Sequence, residues 1–113
     1  MIELIQKEII SDDIIQQFNL NKNDQLYECF LDQKKIGYGI IRKNAIDNIY
    51  LGIMKSYQNQ GYGSTFFKML ISKVNHTIIC EVPLNNIKMQ RIVQNNHGIE
   101  IGRNDNSIHY RIN

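Results

Sequence analysis

The succession at residues 49–74 limits what this chain can fold into more than any other stretch. Ile49, Tyr50, Leu51, Gly52, Ile53 and Met54 make an apolar run of strand length. Lys55, Ser56, Tyr57, Gln58, Asn59 and Gln60 form a polar turn, and Gly61, Tyr62, Gly63 and Ser64 open an amphipathic helix. Beyond them, Phe66, Phe67, Leu70, Ile71 and Val74 fall on one helical stripe suited to packing on a sheet. Thr77, Ile78, Ile79, Cys80, Glu81 and Val82 are β-branched and compact, a second strand that Pro83 ends because it offers no ladder N–H. Strand, helix and strand over this length predict a right-handed crossover with the two strands parallel.

The turn is a place to hold a phosphate. The first helical turn leaves backbone N–H groups without partners, and the peptide dipoles put partial positive charge there. Glycines at 61 and 63 remove side chains that would hold a pyrophosphate away from those amides. Two familiar phosphate loops do not fit. A dinucleotide fingerprint needs a third glycine where Phe66 stands, and a nucleoside-triphosphate loop needs Gly-Lys-Ser/Thr where Gly63-Ser64-Thr65 stands.

The flanking segments complete an order of elements. Ile2, Leu4 and Ile9 mark a short opening strand, and Ser11, Asp12 and Asp13 signal a helix start ahead of Ile14, Ile15 and Phe18. Residues 27–31 and 36–41 read as antiparallel strands joined through Asp32, Gln33, Lys34 and Lys35. A second polar turn over residues 43–48 leads into the strand at 49–54. After Pro83, Asn85 and Asn86 cap a helix with apolar Met89, Ile92 and Val93, and Asn96, His97 and Gly98 end it, with Gly98 as the left-handed residue. Residues 99–101 and 108–112 alternate apolar and polar residues around Asn104, Asp105 and Asn106, a closing hairpin. The predicted order is β-α-β-β-β-α-β-α-β-β, an α+β fold with a mixed sheet.

At 113 residues the expectation is a single domain, able to bury about two thirds of its unfolded surface. No apolar run approaches the roughly 20 residues of a membrane span, and the N-terminus carries no secretion-signal pattern, so a cytoplasmic location without membrane attachment is expected. Cys29 and Cys80 sit in apolar segments without C-x-x-C spacing, and His76, His97 and His109 are dispersed, so reduced core thiols and no metal are expected. A net charge of +2 without a dense basic block argues against nucleic acid.

Gln58-Asn59-Gln60-Gly61-Tyr62-Gly63 resembles the Q/R-x-x-G-x-G/A acetyl-CoA motif of the GNAT (GCN5-related N-acetyltransferase) superfamily, and residues 51–57 are similar to its fourth strand and run-in. The element order is similar to the GNAT fold from end to end. Asp32-Gln33-Lys34-Lys35-Ile36-Gly37 is similar to the family's second hairpin, and Asn86 stands where the family starts its late helix with asparagine. The resemblance implies a sheet whose fourth and fifth strands splay as a parallel pair, with acetyl-CoA as co-substrate in the gap. Its thioester would lie beside Leu51 and Ile53, its pyrophosphate on the amides of Gln58, Asn59, Gln60, Gly61, Tyr62, Gly63 and Ser64, and its pantetheine within reach of Asn86. A primary amine, on a small molecule, a lysine or a peptide N-terminus, would attack the thioester directly, with a backbone N–H near Ile53 stabilising the oxyanion.

The acid–base groups depart from the family. Its late-helix tyrosine falls on Val93, and its Gly-Phe is matched by Gly98-Ile99, one residue late. Tyr57, His97, His109 and Tyr110 are the stand-ins for the acid; Glu81 is the first choice of base and Glu28 the second. Each has a plainer reading. The glycines also suit a simple strand-to-helix turn, Asn86 a helix cap, Glu81 an exposed carboxylate, Tyr57 and Tyr110 half-buried packing, and His97 a helix end. One short helix stands where the family has two, so the acceptor side is either open or completed by another chain, a second copy included. The competing reading is a non-catalytic acyl-CoA-binding or interaction module of the same fold.

Overall fold

The computed structural model describes residues 1–43 and 48–113, so the polar turn expected over 43–48 lies, for residues 44–47, outside the described residues. Among the described residues the elements follow the predicted order. They are β1 (Ile2–Lys7), α1 (Asp12–Phe18), β2 (Gln25–Leu31), β3 (Lys34–Arg42), β4 (Asn48–Ile53), α2 (Tyr62–Ile71), β5 (Ile78–Pro83), α3 (Ile87–Asn95), β6 (Ile99–Arg103) and β7 (Ser107–Ile112). One 3-10 turn, Lys55–Tyr57, links β4 to the glycine loop.

Local chemistry accounts for most boundaries. The Ser11 hydroxyl accepts from the Ile14 N–H at 3.4 Å, Asp12 and Asp13 sit at the positive end of the α1 dipole, and Asn19 closes the helix in the left-handed conformation. Ile9 lies beyond β1 and is exposed. The β2–β3 link is tighter than expected. Only Asp32 and Gln33 form it, both with positive φ (49° and 71°), while Lys34 and Lys35 belong to β3. Two left-handed residues in succession give the primed turn whose twist matches the flanking strands.

The strands divide into two antiparallel sheets, β1-β2-β3-β4 and β5-β7-β6. The expected parallel pair is not joined as a ladder among the described residues. β4 and β5 lie next to each other across the α2 crossover, but no ladder joins them. A ladder needs a continuous free edge on both strands, and part of the β4 edge is turned to other partners, described below.

α2 holds the two sheets together. Its Phe67 and Leu70 pack with Tyr27 and Ile41 of the first sheet and with Cys80, Val82 and Tyr110 of the second, while Phe66 joins Cys29 and Ile36. All three α2 side chains are fully buried, each contributing about 1.5–3 kcal/mol relative to exposure.

α3 ends differently from the sequence expectation. His97, not Gly98, is the left-handed residue, with φ 69°. The Gly98 N–H donates to the Val93 carbonyl at 2.9 Å, and a Cβ on Gly98 would stand 2.4 Å from Val93 Cγ1, so the glycine is there for space. β6 also departs: all five of its residues are exposed, because it is the outer strand of its sheet, whereas β7 alternates buried and partly exposed positions. No helix among the described residues is long and apolar enough to cross a membrane.

Candidate active site

One hydrogen bond fixes which way the backbone groups of β4 point. The Met54 N–H donates to the Ile36 carbonyl at 2.7 Å, and the β3–β4 register runs Gly37 opposite Ile53, Tyr38 opposite Gly52 and Gly39 opposite Leu51. In an antiparallel pair hydrogen-bonded and non-hydrogen-bonded positions alternate. Gly52 and Tyr50 therefore spend their polar backbone groups on β3, and Ile49, Leu51 and Ile53 turn theirs away from it. Two contacts agree. The Ile49 N–H bonds Cys80 on β5, and the Gln58 side-chain amide donates to the Ile53 carbonyl at 2.8 Å. Among the described residues Leu51 keeps both groups free, and Ile53 keeps its N–H.

That edge borders a cleft of about 360 Å³, within the range of small-molecule sites of roughly 300–1,000 Å³. β5 meets β4 at Cys80 and Ile49, and the cleft opens further along, at Leu51 and Ile53. The glycine loop closes one end through Gln58, Asn59, Gly61, Gly63 and Ser64. Among the described residues, none of the N–H groups of residues 59–64 donates within the chain, and they gather at the positive end of the α2 dipole.

The two glycines serve different needs. Gly61 has φ 86° with nothing within 4 Å of an added Cβ, so its requirement is conformational. Gly63 has ordinary φ, but a Cβ would come within 3.3 Å of Ile92 Cδ1 on α3, so it sets how closely the two helices approach.

α3 forms the opposite wall. Asn86 caps it, its side-chain carbonyl accepting from the Met89 N–H at 3.1 Å, and it also lines the cleft. Lys88, Met89, Arg91 and Ile92 line it as well; the sequence reading marks Met89 and Ile92 only as the helix's apolar positions, and Lys88 and Arg91 not at all. The signal was there: two cations three residues apart, directly after Asn86, lie on one helical face. Both are exposed, neither has an ion-pair partner among the described residues, and no carboxylate lines the cleft. Its electrostatics suit an anion at the loop end and along α3.

Of the cofactor residues expected from the sequence, Leu51, Ile53, Gln58, Asn59, Gly61, Gly63, Ser64 and Asn86 come together here, and Gln60 and Tyr62 do not line the cavity. The acid–base candidates lie apart from it. Tyr110 is 1% exposed in the core, and its hydroxyl accepts from Gln94 Nε2 at 3.1 Å. Tyr57 packs on the Ile36–Phe66 cluster with Lys34 Nζ 5.4 Å above its ring. Glu81 pairs with His109 at 3.6 Å. Because Cys80 and Val82 face the α2–α3 core, alternation puts Glu81 on the opposite face of β5. Glu28 is held by Lys35 (2.9 Å) and Lys7 (3.9 Å), His97 ends α3, and Val93, at the family's tyrosine position, is fully buried. Burial pushes the thiols up, Cys29 to about 12 and Cys80 to about 11, the latter held back by the Ile49 N–H.

No family model and no curated protein matches the sequence. Solved structures do. An acetyltransferase from Bacillus subtilis in complex with CoA superposes with a TM-score of 0.79 over 100% of this chain and 99% of that one, at 13% identity. The N-acetyltransferase PseH of Campylobacter jejuni, in complex with acetyl coenzyme A, gives 0.76 over 99% and 98% at 15% identity. The spermidine/spermine N-acetyltransferase SpeG of Vibrio cholerae gives 0.76 over 99% and 94% at 13% identity. At such identities the likeness is one of fold: the chain has the α+β fold of these acetyltransferase structures.

Proposed function

We propose that residues 1–113 form one acyl-CoA-binding domain that moves the acetyl group of acetyl-CoA to a primary amine by direct attack. One observation carries this reading: a strand edge with free backbone groups at Leu51 and Ile53 runs into the same cleft as the unpartnered amides at the start of α2. An extended pantetheine pairs with the first as an added strand, and its pyrophosphate sits on the second. The contact of β5 with β4 at Ile49 and the cleft at Leu51 support a pair of strands that splay around that arm. Asn86, Lys88 and Arg91 hold it from the α3 side.

Gln58 occupies the Ile53 carbonyl, which leaves the Ile53 N–H as the donor for the oxyanion of the attacked thioester. The amine nitrogen bonds the acetyl carbon as the carbon–sulfur bond breaks, and the proton lost by nitrogen ends on the departing thiolate. Glu81, paired to His109 on the face of β5 away from α2 and α3, is the proposed base, and Tyr57 the acid nearest the loop; no metal takes part. Tyr110 contributes through Gln94, by fixing α3.

A second reading has its own observation. The acid–base candidates stand outside the cleft, and Val93 replaces the family's tyrosine, as in a module that binds acyl-CoA without turnover. A thermal-shift titration with acetyl-CoA, followed by thiol release in the presence of amines, separates the two. A shift with amine-dependent release supports the enzyme, a shift without release supports the module, and no shift removes both.

A further inference from the structure

A second cavity, of about 240 Å³, lies on the other side of β4. Tyr50 and Gly52 face it, whereas Leu51 and Ile53 pack on the α2 side, as alternation along a strand requires. Tyr38 sits opposite Gly52 in the ladder and shares its face. Phe18 of α1 covers both tyrosines, with ring centroids 5.2 Å and 6.1 Å away and tilted faces. Ile53 lines this cavity and the cofactor cleft alike, so the two spaces meet where the reacting carbonyl is placed. A nucleophile must come within about 3–3.5 Å of that carbon in line for attack, and this cavity is the adjoining space on the face of β4 away from α2.

Its shape and charge are specific. The floor is bare backbone at Gly37 and Gly52, and a Cβ on Gly52 would come 3.1 Å from the Tyr50 hydroxyl. The walls are three aromatic rings. Among the described residues no carboxylate lines it, and its one charged lining group is Lys35. Lys35 Nζ stands 4.9 Å from the Tyr38 ring centroid and 2.9 Å from Glu28, which Lys7 also approaches. Two ammoniums thus share one carboxylate, and an excess positive charge stays at the rim. The carboxylate beside that cation, Glu28, is taken by Lys35 and Lys7, so a polyamine would meet a cation with no free carboxylate among the described lining residues to hold its other amines. A flat apolar body packs between the rings, and a negative substituent is drawn to Lys35.

We propose that this cavity receives the acceptor, and that the acceptor is a small primary amine on a flat, aromatic-like body bearing an anionic group that faces Lys35. The inference rests on acetyl transfer at Ile53. The transfer yields an amide and the free thiol, with one proton passing from nitrogen to sulfur.

The test compares 4-(aminomethyl)benzoate, benzylamine and spermidine as acceptors for the full chain with acetyl-CoA, reading thiol release, with acetyl-CoA stabilisation measured in parallel. The carboxylate-bearing amine should exceed benzylamine in kcat/KM by roughly fivefold, the scale of one partly exposed ion pair, and both should exceed spermidine. Lys35→Gln should remove the preference for the carboxylate. Spermidine as the best acceptor, a preference that survives Lys35→Gln, or stabilisation by acetyl-CoA with neither aryl amine acetylated would each overturn the inference alone. Absence of stabilisation would overturn it together with the acetyltransferase reading.

Discussion

Single residues carry separable roles. Gly61→Ala meets no steric obstacle but must hold φ 86°, so it should cost about 1–2 kcal/mol of stability, seen as a fall in urea midpoint at unchanged m-value. Asn86 is both cap and cleft residue, and substitution can tell these apart. Asn86→Asp keeps an acceptor for the Met89 N–H and should melt within a few degrees of the native protein, yet it adds negative charge to the wall that carries Lys88 and Arg91 and should weaken acetyl-CoA binding; equal affinity would leave Asn86 as a cap only. The pKa directions set an alkaline limit. Cys29, Cys80 and Tyr27 are all raised, chiefly by burial, so the folded state retains protons that the unfolded chain gives up. Their contribution is complete below about pH 9 and is lost as pH rises toward 12, so chemical-denaturation midpoints should stay flat with respect to these groups through neutral pH and fall above 9. The thiols should also resist alkylation at pH 8 until the chain is unfolded.

At the scale of elements, the alternation along β4 gives a pattern that amide exchange can read. The Gly52 and Met54 amides, bonded to β3, should exchange slowly, and those of Leu51 and Ile53 fast; acetyl-CoA should slow the second pair and leave β7 unchanged. Equal rates along the strand would refute the free edge. The same strand marks how far sequence reading reaches. Period and caps made the elements and their order legible, because Phe66, Phe67 and Leu70, or Ser11 with Asp12 and Asp13, report local physics. Whether β4 pairs with β5 is decided by what reaches its outer edge, Cys80 and Gln58 here, and no local period encodes that. His97 takes the left-handed turn ahead of Gly98, and the glycine instead leaves room for Val93, five residues back. The alternation in β6 marks a strand of the closing hairpin, but its place at the outer edge of the sheet leaves Ile99 and Ile101 about half exposed.

In the molecule as a whole, α2 is the junction: its buried face ties two antiparallel sheets, and its open N-terminus forms one end of the cleft at their boundary. The loop half of the candidate site was legible because glycines, Gln58 and a helix start are adjacent in sequence. The α3 half was not, because Lys88 and Arg91 become a wall only when Gly63 lets α2 approach Ile92. Removing both cations, Lys88→Ala with Arg91→Ala, should weaken acetyl-CoA binding more at low salt than at high salt, since screening acts on exposed charges. The measurement that tests the central claim most directly is thiol release from acetyl-CoA with and without a panel of primary amines, with the intact mass of the protein followed in the same reaction. Direct transfer at Ile53 predicts release that depends on the amine, an acetylated amine as product, and no acetylated form of the protein on the way. Release that proceeds equally without amine, or no release while acetyl-CoA is bound, would contradict it.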